Sequence, residues 1–190
     1  LIVVGTLDAR KSVGILLEAI SVMKYRNKIQ LDIVGDGPLR SILEKQAKQF
    51  KINDIINWYG FLPRAKAVEL FDSAHLHVIT SISEGNPTTI WEAMTHGVPT
   101  LSFDHCGMHD TLSDSCGILI PIKDTYEKNI GTIASTLDHM IENPEKFKEL
   151  ASNTISRAQL NTWQLRRLFL NNLYSTLLSS KNTHKTTSLS

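Results

Sequence analysis

The chain is short of cysteine, of net charge and of long apolar runs, and each shortage removes a class of function. Two cysteines, Cys106 and Cys116, are too few for a disulfide framework. They lack the paired spacing of a structural zinc site, so free thiols in a reducing intracellular compartment are the default expectation. Twenty Lys and Arg stand against 19 Asp and Glu, a net charge of +1. No basic face is therefore expected, and no nucleic-acid partner. No apolar run approaches the roughly 20 residues that span a bilayer, and no signal peptide is visible. The chain opens on Leu1-Ile2-Val3-Val4, in mid-pattern and without Met, which suggests a piece of a longer protein. No internal repeat is seen.

What is present is a full-sized globular composition. At 190 residues, 42% hydrophobic and 21% charged, the chain can bury one large core. Short apolar runs alternate with amphipathic stretches. Strands are predicted at Ile2–Gly5, Leu31–Val34, Ile55–Tyr59, Leu76–Ile79, Val98–Phe103 and Gly117–Ile120. Helices are predicted at Ser12–Tyr25, Leu39–Phe50, Ala65–Ser73 and Pro87–His96. After Pro121 the pattern is helical: Tyr126–Glu142, Pro144–Gln159 and Thr162–Leu178, with a break at Asn143-Pro144. The polar stretch 181–190 is expected to be a disordered tail. Strands alternating with helices predict βαβ units, an α/β fold with a parallel sheet of about six strands. Near-continuous apolar strands predict a sheet covered on both faces. Ligands of such sheets bind at the carboxyl ends of the strands. The loops Gly5 to Lys11, Gly35 to Pro38, Gly60 to Arg64 and Ser81 to Thr88 all lie there.

The most informative pair is Glu84 and Glu92, with seven residues between them. The first falls in the loop after the fourth strand, the second about one turn into the next helix. Pro87 suits the first helical position and Asn86 the N-cap. A helix start offers free N–H groups and positive dipole character, a natural anion site. Two carboxylates beside it could hold the hydroxyls of a sugar or ribose. The alternative is one surface glutamate and one helix glutamate in a salt bridge. Spacing alone does not separate these readings.

The segment Glu84-Gly85-x-Pro87-x-x-x-x-Glu92-Ala93-Met94-x-x-Gly97-x-Pro99 resembles the E-x7-E signature of retaining GT-B glycosyltransferases. The similarity extends, in the family's order, to Gly5 through Lys11, Val34-Gly35-Asp36-Gly37-Pro38, Gly60-Phe61-Leu62-Pro63 and Ala74-x-Leu76. It covers residues 1 to about 180. It implies one half of a GT-B fold, the Rossmann-like domain that binds the donor, with the N-terminal acceptor domain absent from this chain. The implied reaction moves a sugar from a nucleoside diphosphate to an acceptor hydroxyl with retention, in glycan or polysaccharide biosynthesis. The donor would be a UDP- or GDP-sugar, and no metal or other cofactor is implied. The acceptor, a glycan or glycolipid, would be bound by the missing domain. The full-length protein would be cytoplasmic, with peripheral association at the inner membrane face as a further expectation. This fragment alone would be inactive.

By resemblance, Glu92 would hold the ribose hydroxyls and Glu84 would face the donor sugar. Gly85, Asn86, Pro87, Thr88 and Thr89 would line the sugar–diphosphate site. Gly5, Thr6 and Gly35 would lie beside it, and backbone groups of Phe61 and Leu62 would border the base. Lys11 would reach the diphosphate as a point charge. The chain also departs from the pattern. Thr6 stands where a second basic residue is common, with Arg10 as a candidate replacement. Asn86 stands where an aromatic is frequent. Cys106-Gly107-Met108-His109-Asp110 replaces a Gly-Gly-x-Pro-Glu stretch, with Asp110 as a shortened stand-in for its glutamate. Two rivals stay open: a nucleotide-sugar epimerase of the same architecture, and a noncatalytic nucleotide-binding or scaffold domain, which Thr6 keeps alive.

Other residues read as structural. Arg64 reaches phosphate or caps its helix. His75, His77, His96, His105 and His109 lack chelating spacing, and no metal site is expected. Cys106 reads as buried filler. Trp163 is expected to anchor the last helix. Leu165, Leu168, Phe169, Leu173 and Leu177 are expected to serve core or interdomain packing.

Overall fold

A computed structural model describes residues 1–113 and 115–186. Six parallel strands form one open sheet. They are β1 Ile2–Val4, β2 Leu31–Val34, β3 Ile56–Gly60, β4 His77–Ile79, β5 Thr100–Phe103 and β6 Gly117–Ile120. Helices α1 Val13–Val22, α2 Arg40–Gln49, α3 Arg64–Glu69, α4 Thr88–Thr95 and α5 Met108–Thr111 lie between successive strands. Three more follow the sheet: α6 Tyr126–Glu142, α7 Pro144–Leu160 and α8 Trp163–Thr186. Parallel neighbours cannot be joined by a tight hairpin, so each step needs a crossover. This is the expected Rossmann-like α/β architecture.

Strand periodicity sorts the core. Successive side chains point to opposite faces of a sheet. Val3, Ile33 and Val78 enter one apolar cluster with α1, α2 and α6. Their neighbours Ile2 and Val34 join Ala67, Phe71, Ala93 and Val98 on the other face. Ile79 packs there too, with Ile90, Met94, Met108 and Cys116. Helix α1 buries Val13, Ile15, Leu16, Leu17, Ala19 and Ile20. It is apolar nearly all round because it lies between the sheet and α6. Each fully buried Leu or Ile there contributes about 1.5–3 kcal/mol before entropy is counted.

The strand order is β3-β2-β1-β4-β5-β6. It runs outward from β1 in one direction through β2 and β3, and in the other through β4, β5 and β6. The reversal falls between β1 and β4. The loops leaving these two strands therefore diverge, and a crevice opens between them at the carboxyl edge.

Five expectations are corrected. Pro87 is the N-cap of α4, in an extended conformation, and the helix begins at Thr88. Proline's fixed φ serves either position, and here ψ is 124°. Cys106 is exposed, with φ 50°, whereas Cys116 is buried. Trp163 is 80% exposed and does not anchor α8. Arg166 lies over its ring, the guanidinium carbon 5.9 Å from the centroid. Leu165, Leu168, Phe169, Leu173 and Leu177 are likewise exposed, so they are not core within this chain. Helix α8 runs past its predicted end at Leu178 to Thr186. No Pro or Gly interrupts that stretch, so nothing breaks the backbone ladder. Residues 187–190 of the expected tail lie outside the described residues. Among the described residues no helix is long and apolar enough to cross a membrane.

One core group makes stability depend on pH. His77 in β4 is fully buried. Its Nδ1 lies 3.1 Å from Thr100 Oγ1, and its Nε2 has no partner. Phe71 meets the ring edge-on at 5.5 Å. Burial, aided by the positive charge of Lys11, holds the imidazole neutral, with its pKa lowered to about 3. The unfolded chain takes up a proton near 6.5, so between these values it binds more protons than the native state. Stability should fall as pH drops from 6.5, at up to about 1.4 kcal/mol per pH unit from this group. Urea unfolding between pH 7 and 5 measures the slope. His77→Met should flatten it. An unchanged slope refutes the assignment.

Candidate functional site

The site grows from backbone packing at the carboxyl edge. Gly5 N–H donates to the Val34 carbonyl, and Gly35 N–H to that of Gly60. Leu7 and Asp36 are joined by a further backbone hydrogen bond of 3.0 Å. These links draw the loops after β1, β2 and β3 together. Gly35 sits so close that a Cβ there would lie 1.9 Å from the Gly5 carbonyl oxygen, and its φ is +139°. Only glycine tolerates both conditions. Sequence reasoning placed Gly5 and Gly35 beside a ligand. Their visible role is to let two loops touch.

The loop after β4 docks on the loop after β1. The Thr80 hydroxyl donates to the carbonyls of Lys11 and Ser12, each at 3.1 Å. The Ile82 N–H donates to the Arg10 carbonyl at 2.9 Å. This grip holds Ser12 at φ 49°, a left-handed conformation uncommon outside glycine. The turn sends the Lys11 side chain back across Gly5, where a Cβ would stand 3.0 Å from Lys11 Cε.

Two cations then converge on one carboxylate. Lys11 Nζ lies 2.6 Å from Glu84 Oε1, and Arg10 Nη1 lies 2.8 Å from the same oxygen. Arg10 also donates to the Ser83 carbonyl at 3.2 Å. The Glu84 side chain is only 9% exposed. Burial alone would push its carboxyl up. The Lys11 hydrogen bond, the nearby Ser81 hydroxyl and the charges of Lys11 and Arg10 outweigh that and hold it below the usual range. The buried Ser81 Oγ makes no hydrogen bond and acts as a close dipole. Two cations thus share the Glu84 carboxylate, and the Asp8 carboxylate accepts from the Lys11 N–H at 2.9 Å in the same loop. The cluster opens where β1 and β4 diverge.

Glu92 belongs to a second cluster. Its Oε1 accepts from Arg64 Nε at 2.7 Å. The glutamate side chain is 13% exposed, the arginine largely free in solvent. The salt-bridge alternative for Glu92 is thus realised in the ligand-free chain. Asn86 Oδ1 accepts from the Trp91 indole N–H at 2.8 Å. Arg64, Asn86, Thr88, Trp91 and Glu92 line one wall of a cleft of about 800 Å³, whose other wall is the start of α8. Lys11 and Glu84 do not line it.

The remaining candidates are scattered around these clusters. Thr6, Gly85 and Thr88 are exposed. Phe61 is exposed at the end of β3, and Leu62 packs partly against the Phe71 cluster. The Thr89 hydroxyl is buried without a partner in the first turn of α4. Asp110 is exposed on α5, and Arg157 holds its carbonyl. Sequence reasoning missed two side chains that fix the Glu84 loop through backbone carbonyls: Thr80, at its root, donates to the Lys11 and Ser12 carbonyls of the loop after β1, and His105 meets the Ser81 carbonyl. Backbone-directed contacts have no spacing signature. Among the described residues, no group of three or more His, Cys, Asp and Glu is placed to hold a metal ion.

Comparison with known proteins gives a consistent answer. The family described as glycosyl transferases group 1 matches residues 1–157. The chain is similar to the amylovoran biosynthesis glycosyltransferase AmsK of Erwinia amylovora, 26% identical over 116 residues, covering 57% of this chain and 28% of that protein. It is also similar to the alpha-D-kanosaminyltransferase of Streptomyces kanamyceticus, 28% identical over 152 residues, covering 79% and 38%. The chain thus spans about a third of such relatives. Among solved structures, Anabaena Alr3699/HepE in complex with UDP superposes with TM-score 0.78 at 20% identity, over 92% of this chain and 48% of that one. The pneumococcal O-GlcNAc transferase GtfA in complex with UDP and GlcNAc gives 0.80 at 20%, over 93% and 35%. At such identities these structures speak for the fold.

The Lys11–Glu84 pair should also matter for folding. Lys11→Met leaves a mostly buried carboxylate with Arg10 alone, at an expected cost of about 1–3 kcal/mol. Glu84 titrates below its ordinary value, so this contribution is present above pH 4.5 and is lost as pH falls through the lowered value. Urea unfolding at pH 7 should separate parent and variant, and strong acid should bring them together. Equal stability at pH 7 contradicts the pairing.

Proposed function

This chain belongs to the glycosyl transferases group 1 family, and from that premise we propose that it is the donor-binding half of a retaining glycosyltransferase that uses a UDP- or GDP-sugar. The observation that carries the reading is the meeting of Arg10 and Lys11, after β1, with Glu84, after β4, across the crevice where strand order reverses. A parallel sheet takes its ligands at that crevice.

The chemistry follows from charge. A diphosphate entering beside Lys11 and Arg10 meets two cations that share one carboxylate. The N-terminal amides of α4 at Thr88 and Thr89 have no partners within the helix and add donors and dipole. As the glycosidic bond to the diphosphate breaks, negative charge builds on the leaving oxygen, and positioned cations stabilise it. Arg10 supplies the second cation at a place where Thr6 offers none. Its guanidinium already sits on Glu84, which supports this role. Glu84 then turns one oxygen to the donor sugar. Glu92 exchanges Arg64 for the ribose hydroxyls; Arg64 is mostly solvated, so the exchange costs little. Backbone groups at Phe61 and Leu62 border the base. The acceptor, a glycan or glycolipid, would bind a second half outside this chain, acting at the cytoplasmic face of a membrane.

Calorimetric titration with UDP and GDP tests the reading. Lys11→Ala and Glu92→Ala should each weaken binding by about 1–3 kcal/mol, the range for a charge-assisted hydrogen bond. Affinities equal to the parent's would remove the altered residue from the site. Failure of the parent to bind either nucleotide would refute the donor-site reading.

A further inference from the structure

The loop between β5 and α5 presses on the Glu84 loop from behind, through backbone rather than side chains. His105 Nε2 lies 2.6 Å from the Ser81 carbonyl oxygen. A carbonyl only accepts, so Nε2 carries the proton and Nδ1 is left as a buried acceptor without a partner. Two residues on, Gly107 N–H donates to the Glu84 carbonyl at 3.4 Å. A Cβ on Gly107 would stand 1.9 Å from the Gly85 carbonyl oxygen. Gly107 has φ −81°, so its own backbone would accept alanine; the obstacle is the opposing carbonyl. Between them Cys106 takes φ 50°, which turns the chain so that His105 and Gly107 both reach the neighbouring loop. The carbonyls of Ser81, Glu84 and Gly85 are thus all met by one short segment.

We infer that His105 is a positioning residue: its Nε2–H clamps the Ser81 carbonyl and, with Gly107 seated on Gly85, fixes the loop that presents Glu84 to Lys11 and Arg10. The clamp acts on main chain at the root of the loop, four residues before Gly85. On its other side the same root is tied to the loop after β1, where Thr80 donates to the Lys11 and Ser12 carbonyls. The main chain of the loop is therefore held between two neighbouring loops. The consequence for ligand binding rests on the donor-site reading above; the clamp itself does not.

Three variants test it: His105→Gln, which keeps an N–H donor at similar reach, His105→Leu, which removes the donor, and Gly107→Ala, which keeps the histidine and crowds the Gly85 carbonyl. Amide hydrogen exchange over residues 81–86 is measured without ligand, and UDP affinity by calorimetry. His105→Leu and Gly107→Ala should speed exchange in that loop about tenfold, with the rest of the sheet unchanged. They should weaken UDP about tenfold. His105→Gln should match the parent in both. Loop exchange in His105→Leu equal to the parent's overturns the clamp, as does loss in His105→Gln as large as in His105→Leu. If His105→Leu does not fold, Gly107→Ala against His105→Gln decides by the same criterion. If the parent binds no UDP or GDP, the donor-site reading fails, and loop exchange still decides whether the clamp exists.

Discussion

The contact between the Lys11 ammonium and the Glu84 carboxylate ties together the two directions in which the sheet is wound. Lys11 leaves β1 and Glu84 leaves β4, the strands between which connectivity reverses. A crevice at that place is a consequence of topology, but what fills it is a matter of side-chain chemistry. Here it holds two cations and one acid. The acid is buried enough that it must be paired to stay ionised, and it is paired twice over. Two cations on one carboxylate leave N–H donors over for a further acceptor.

Getting those side chains together depends on backbone approaches that leave no room for a Cβ. Gly35 lies against the Gly5 carbonyl, and Gly107 against the Gly85 carbonyl. The first brings the β1 and β2 loops into register; the second seats the β5 loop behind Glu84. Thr80 ties the root of the Glu84 loop to the Lys11 and Ser12 carbonyls, and His105 meets the root's own Ser81 carbonyl from the opposite side. The apolar clusters on the two faces of the sheet supply the stability, and this polar layer at the carboxyl edge supplies the geometry. His77, neutral and half-partnered in the middle strand, shows the cost of placing a titratable ring beneath it.

How much of this was readable in advance differs by level. The sheet was legible because alternating runs such as Leu31–Val34 and His77–Ile79 bury both faces, and that leaves an unmistakable apolar signature. The positions of Lys11, Glu84 and Glu92 at a carboxyl edge were legible for the same reason. The partners were not. Arg64 on Glu92 is a contact across 28 residues, and His105 on Ser81 one across 24. Neither has a period or a motif. Pro87 and Trp163 failed differently: proline's φ serves both N-cap and first turn, and a tryptophan at a helix start is apolar whether or not anything covers it.

The amino-acid order alone determined the alternation of strand and helix and the acidic and basic residues that fall at the carboxyl edge of the sheet, because hydrophobic periodicity and turn chemistry are local. Folding in space decided that Glu84 is shared by two cations, that Glu92 rests on Arg64, and that the loop bearing Glu84 is gripped by its neighbours on both sides. Those outcomes depend on distances between segments far apart in the chain, which only the packed sheet can set.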